Sequence, residues 1–132
     1  MSVRELDPMN VNAISDGHVT TGFADGTFIQ MEQDEESFTT MVGAKGEVSR
    51  TKNANKMGTF TVTLSQTSPS NAHYARLART GKIHPFYVID QNDGSRSGGR
   101  ECWVEQQASK EWAKEEQSRE WTIKVAELEV DE

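Results

Sequence analysis

Four carboxylates crowd one short stretch of this chain: Glu32, Asp34, Glu35 and Glu36. A pair of acids is what glycoside hydrolysis uses, one as proton donor and the other as nucleophile or base. Nothing in the surrounding sequence sets one acid against another across a pocket, and a run of like charges ordinarily marks a solvated face. Asp90 and Glu101 bracket a stretch rich in Gly, Asn and Ser, much as acids bracket a calcium loop. An EF-hand loop needs an oxygen ligand at its fifth position and glycine at its sixth, but Gly94 and Ser95 stand there, so the stretch reads as a solvated hairpin tip. His18, His73 and His84 lack metal-ligand spacing. Cys102 has neither a CxxC partner nor an adjacent His, and it reads as a small buried apolar residue. Gly43, Gly46, Gly98 and Gly99 form no phosphate-cradling loop. Trp103, Trp112 and Trp121 could stack on sugars or bases, yet at strand positions they more often fill a core. The expectation is a protein that is not an enzyme, with no catalytic residue, metal or cofactor.

The composition narrows the classes further. The chain has 132 residues, with 14 Lys and Arg against 21 Asp and Glu for a formal charge of −7, and 34% hydrophobic residues. That is lean but sufficient for one core, and a single domain over residues 1–132 is expected. A lone cysteine excludes an intramolecular disulfide framework, and no apolar run approaches the ~20 residues of a membrane-spanning helix. The first residues carry no continuous apolar segment with a small-residue cleavage pattern, so no secretory signal is read and the chain is expected to stay where it is made. A net negative surface binds phosphate backbones poorly. The same sign suits a surface that nucleic acid must pass without sticking.

The elements that would position these residues are mostly strands. Gly58 to Leu64 alternates Phe60, Val62 and Leu64 with Thr59, Thr61 and Thr63, the period-2 pattern of a half-buried strand. Residues 18–23 and 27–32 flank Asp25-Gly26, which predicts a first hairpin. Residues 37–50 predict a second, turning at 43–46, with residues 51–57 as a loop or extended arm. Its apolar content is too small to bury a hairpin alone, so it calls for a partner surface, such as another chain. Ser68 as cap, Pro69 in the first turn, Tyr74, Leu77 and Ala78 on one face and Gly81 after the last turn predict a helix over 68–80. Strands are expected at 85–90 and 101–105, separated by a flexible hairpin loop at 91–100. A last strand at 120–130 changes phase near Val125-Ala126, where a bulge is expected; residues 108–118 are left unassigned. The fold class is mainly β, an antiparallel barrel or sandwich with one flanking helix.

Three blocks of sequence resemble a known family. Gly22 to Ile29 with Asp34 to Arg50, then Thr63 to Asn71, then Ser118 to Ile123 are similar to the tail tube proteins of contractile-tailed phages, and the likeness runs from about Val11 to Ala126. It implies a barrel or sandwich like those of other tail tubes and of the type VI secretion tube. It also implies a virion protein made in the host cytoplasm, whose hexameric rings stack into a conduit for DNA ejection. The implied partners are copies of itself, the tail sheath, the baseplate and the tail terminator, with DNA only in passage and no membrane insertion. Within that frame Glu32 and Asp34 become candidate lumen-facing acids. Val42, Lys45, Glu47, Val48, Arg50, Lys52 and Met57, around an extended hairpin or loop at 43–57, become candidate subunit contacts. The alternatives are the tube of a phage-derived contractile bacteriocin or injection machine and, from another class, a carbohydrate-binding β-sandwich using the tryptophans.

Overall fold

The computed structural model describes residues 3–132; Met1 and Ser2, which open the segment read above for a secretory signal, lie outside them. The alternating run at the centre of the chain forms β6 (Gly58–Ser65), which buries Phe60, Val62 and Leu64 on one face and half-exposes its threonines on the other. It pairs antiparallel over its whole length with β9 (Ser118–Val125), which sets Val62 opposite Trp121 and Phe60 opposite Ile123. Directly paired residues share a face, so these side chains build one core, joined by Cys102 and Val104 of β8 (Ser95–Val104). The remaining strands of this sheet are β1 (Val11–Ser15), β2 (His18–Val19), β3 (Ile29–Gln33) and β7 (His84–Asp90), in the order β2-β1-β7-β8-β9-β6-β3. A short β10 (Glu129–Asp131) pairs with β8 alongside.

The sheet curls over on itself. Strands β6 and β7 are three places apart in the order, roughly 14 Å in a flat sheet, yet the rings of Phe60 and Phe86 lie 5.0 Å apart across the core. Strand pairing does not run unbroken into a closed barrel. Instead one segment stitches the two edges together: Thr20 N–H donates to Ala13 of β1, while Gly22 accepts from Ser65 of β6 and Phe23 bridges Leu64. Helix α1 (Ser70–Thr80) lies against this seam. Its Tyr74 stacks on Trp121 at 5.9 Å and shares a 2.6 Å hydrogen bond with Thr20, and its Asn71 accepts from Trp121 Nε1 at 3.0 Å. The helix ends as the sequence implies, with Gly81 in the left-handed region donating its N–H to Leu77. Its regular turns begin at Ser70, but Pro69 is already helical, with φ −66° and ψ −21°, and Ser68 Oγ accepts from the Ser70 N–H, the bond an N-cap makes.

Several other expectations need correction. Residues 18–32 are not a hairpin: Phe23 and β3 both run along β6, and Thr63 pinches off the loop between them by accepting from Ala24 and donating to Phe28. Asp25-Gly26 therefore turns a loop inside one edge strand. Residues 95–100 of the expected flexible loop belong to β8, held between β7 and β10. No single-residue bulge marks the phase change after Val125: a bend at 126–128 divides β9 from β10, and Leu128 packs over Gly58. β1, too irregular in its apolar pattern to be read, pairs with β7 over five positions.

Candidate subunit interface

Outside the main sheet, β4 (Phe38–Val42) and β5 (Val48–Lys52) pair only with each other, and all ten of their residues are exposed. The second hairpin thus exists where the sequence places it, with its second strand running two residues further, to Lys52. Its register puts Phe38, Thr40, Val42, Val48, Arg50 and Lys52 on one face, with Met41 on the other. Val42 and Val48, 65% and 70% exposed, face one another near the tip, and the Arg50 guanidinium lies 4.0 Å over the Phe38 ring. Lys45 sits in the turn, which closes through a 2.7 Å bond from Gly43 N–H to Glu47. The base is tied firmly. Asn53 donates its backbone N–H to Ser37 and its side-chain amide to Glu35 and Glu36, while Gln33 holds Glu35 and Ser37.

Six of the seven candidate contact residues therefore share this arm. Met57 does not: it is half-buried at the root, where its carbonyl accepts from Asp34 N–H. The candidate contacts leave out Phe38 and Met41, which are 40% and 70% exposed on opposite faces of the arm. The sequence reading missed Trp112, which is 79% exposed on the irregular loop 105–117 rather than in the core.

The two candidate lumen acids are placed differently from each other. Glu32 is exposed and pairs with Thr59 on the polar face of the sheet, opposite the core. Asp34 accepts from Thr59 Oγ1 at 2.6 Å and from Lys124 Nζ at 3.2 Å. The Thr59 hydrogen bond, with help from the lysine, holds its carboxyl below the ordinary value. Its charge is thus largely offset where it stands.

The three histidines, scattered in sequence, converge around Ser15. Because a carbonyl only accepts, the His84 bond to Lys82 O assigns the proton to Nδ1 and leaves Nε2 to accept from Ser15 Oγ at 3.1 Å. Ser15 and His84 are 0% and 1% exposed, and a backbone carbonyl stands where an acid would orient a catalytic histidine. The pair is structural. His73 donates Nε2–H to Ser15 O at 3.0 Å, accepts at Nδ1 from Arg76 and stacks at 4.3 Å on His18, which bonds Ser70 Oγ. Burial, the neighbouring His18 and Arg76 hold its pKa below 6.5. A lowered histidine pKa makes the unfolded chain bind more protons, so this contribution is complete above about pH 6.5 and is lost as the pH falls below it. Thermal unfolding is expected to show a falling Tm between pH 7 and 5.5, and His73→Gln, which can still donate to Ser15, should flatten that part of the slope. Burial likewise raises Cys102 to about 11, keeping it a thiol. No group of side chains among the described residues has the makeup to hold a metal.

The curled antiparallel sheet has counterparts among known proteins. The family model for the bacteriophage PhiTE tail tube protein matches residues 11–131. The chain belongs to this tail tube family. A tail tube protein is structural, so this one is a component of a phage tail and not an enzyme. Solved structures share the fold. A chain of the sheath/tube terminator of an extracellular contractile injection system, PVC, in its extended state, superposes with a TM-score of 0.65 at 6% identity, covering 100% of both chains. The anti-feeding prophage tube-terminating cap gives 0.62 at 6% identity, covering 99% of this chain and 94% of the other. A chain of the native gene transfer agent virion gives 0.66 at 12% identity, covering 97% and 100%. No curated protein sequence matches significantly.

Proposed function

We propose that this chain is the subunit of the inner tube of a contractile phage tail, closing with its copies into stacked six-membered rings around a conduit for DNA. The observation that carries this is the arm. A two-stranded ribbon with every strand residue exposed is marginal in water and gains its apolar burial from a partner. Repeated contacts between copies supply that partner, and the sheath, baseplate and terminator would meet the outside and the ends of the tube. Negative-stain electron microscopy of the purified protein over a concentration series, with and without baseplate, tests it. Rings or tubes are the expected result, and monomers under every condition would overturn it.

Glu32 and Asp34 lie on the sheet's polar face with Thr59, Thr61, Thr122 and Lys124. In this reading that face lines the conduit, and since Asp34 is paired, Glu32 carries the free negative charge that repels phosphate. Glu32→Lys is expected to slow DNA ejection several-fold from otherwise intact particles; unchanged ejection would sink the lumen placement. A second reading, a subunit that caps the tube, is favoured by the likeness to the PVC terminator and the anti-feeding prophage cap. The same micrographs separate the two, since a cap forms single rings and a tube subunit forms stacks.

A further inference from the structure

Helix α1 begins where the curled sheet closes, and its first turn clasps the closing segment from both sides. Ser70 Oγ accepts from Thr21 N–H at 3.0 Å, and Ser68 Oγ donates to Thr21 O. One turn on, Tyr74 bonds Thr20 Oγ1. Ser15, Thr20, Ser70, His73 and His84 are all buried here, the most exposed of them at 9%, so their polar hydrogens need acceptors inside the protein.

Three of those acceptors are histidine nitrogens. Ser70 has one hydroxyl proton, and because the Thr21 N–H can only donate, that proton goes to His18 Nε2 at 2.9 Å. Ser15 donates to His84 Nε2, and Arg76 donates to His73 Nδ1 at 3.3 Å. The rings come from β2, α1 and β7, and each holds its neighbour through a lone pair that exists only while the ring is neutral. A proton on that nitrogen sets donor against donor: at His18 and His84 the serine hydrogen loses its acceptor, and at His73 an N–H meets the Arg76 guanidinium. His18 and His73 are also stacked at 4.3 Å, so a charge on one opposes a charge on the other.

The other groups facing the cluster do not offset such a charge. Arg76 and Lys82 bring two cations against the single carboxylate of Asp16, and Asp16 is already bonded to Lys82 at 2.6 Å. Tyr74, raised to about 12 by burial, and Cys102, raised to about 11 and paired with His84 across β7 and β8, stay uncharged. By contrast, β6 and β9 pair over eight positions, and their core side chains, Phe60, Val62, Leu64, Trp121, Ile123 and Val125, do not titrate.

We propose that the three histidines form a proton-operated latch: neutral rings hold the first turn of α1 against the seam, and protonated rings release residues 15–23 and 68–74 while the β6–β9 core stays folded. The latch is shut above about pH 6.5, the ordinary histidine value, and opens below it, the direction that the lowered pKa of His73 requires. It is a property of the single chain and stands apart from the tube reading.

Hydrogen exchange read by mass spectrometry on the purified chain at pH 7.5, 6.5 and 5.5, with labelling times scaled to equal intrinsic exchange, tests it. Between pH 7.5 and 5.5 the protection of residues 15–23 and 68–74 is expected to fall about tenfold or more, the effect of a shift of one pKa unit or larger, while residues 58–65 and 118–125 keep theirs. His18→Gln with His73→Gln removes both charges. A glutamine oxygen can still accept from Ser70 and from Arg76, and its amide can still donate to Ser15 O, so seam protection is expected to persist to pH 5.5. Proton NMR of the wild type needs no variant: it follows the histidine ring protons and the Thr21 amide in one titration, and their midpoints are expected to coincide. Four results would each overturn the latch: seam protection unchanged at pH 5.5, loss of β6–β9 protection together with it, a double variant that folds at pH 7.5 yet opens in acid as the wild type does, or a Thr21 midpoint in the carboxylate range of about 4.

Discussion

Gly98→Ala is expected to lower unfolding stability by about 4 kcal/mol or more, a large share of the roughly 5–15 kcal/mol that holds a domain together. Gly98 sits in β8 between β7 and β10, with φ at 148°, in a region that only glycine occupies readily. A Cβ there would lie 2.9 Å from Tyr87 Cα and closer still to the Phe86 carbonyl oxygen, both backbone atoms of the adjacent strand. Neither can rotate away as a side-chain tip does. The strain falls where the β7–β8 register shifts, between His84 and Phe86, so relief would require that ladder to part. Gly26→Ala is the control: φ is also positive there, at 89°, but a Cβ would meet open space, and the cost should be about 1 kcal/mol. Urea unfolding followed by the fluorescence of buried Trp121 measures both. Equal small losses at the two positions would show that the close approach at Gly98 is not the constraint claimed.

Replacing Phe38 to Lys52 by an Asn-Gly turn should do the opposite, leaving the fold intact and abolishing assembly. Ser37 and Asn53 already stand across a hydrogen bond, from Asn53 N–H to Ser37 O at 2.8 Å, so a two-residue turn closes the gap. The excised strands contribute no buried side chain to the core, and Tm is expected to move by no more than about 3 °C. Assembly into rings or tubes, read by electron microscopy and mass photometry, should disappear. A shortened chain that still forms tubes would remove the arm from the interface.

The sequence made legible those elements whose side chains settle their own surroundings. β6 could be read from its threonine and apolar alternation, and the helix from Tyr74, Leu77 and Gly81, because their partners matter less than their period. The arm was legible for a related reason: too few apolar residues to close on themselves is a property of the segment alone. What failed was pairing decided at a distance. Asp25-Gly26 is a sound turn signal, but whether the strand after it folds back or continues depends on Thr63, which grips the chain on both sides of the loop. Residues 95–100 look like a flexible loop because of their glycines, and Gly98 and Gly99 are there because β7, Val125 and the bend after it crowd the backbone. Trp112 was read as core from its residue type, whereas Trp121 fills the core and Trp103 lies on the opposite face of the sheet, bonded to Glu105. The three tryptophans form no common stacking platform. The histidines around Ser15 carried no signal, since their approach is set by β1, β2, β7 and the helix together.

The stitch between the sheet edges has a consequence for how the protein is made. Apart from the two-residue β2, β1 has no partner until β7 emerges from the ribosome about seventy residues later, and β6, which can already take β3 on one side, waits for β9 on the other. Such distant pairings form slowly and late. The arm, whose strands are neighbours in the chain, can turn into a hairpin long before the body that carries it exists. A nascent chain therefore displays its exposed ribbon while the loop at 105–117 is still inside the ribosome or unfastened, because that loop is fastened to the end of β6 beside β9. On the tube reading, adjacent ribosomes on one message hold many exposed ribbons before any body is finished, and synthesis of β9 precedes assembly.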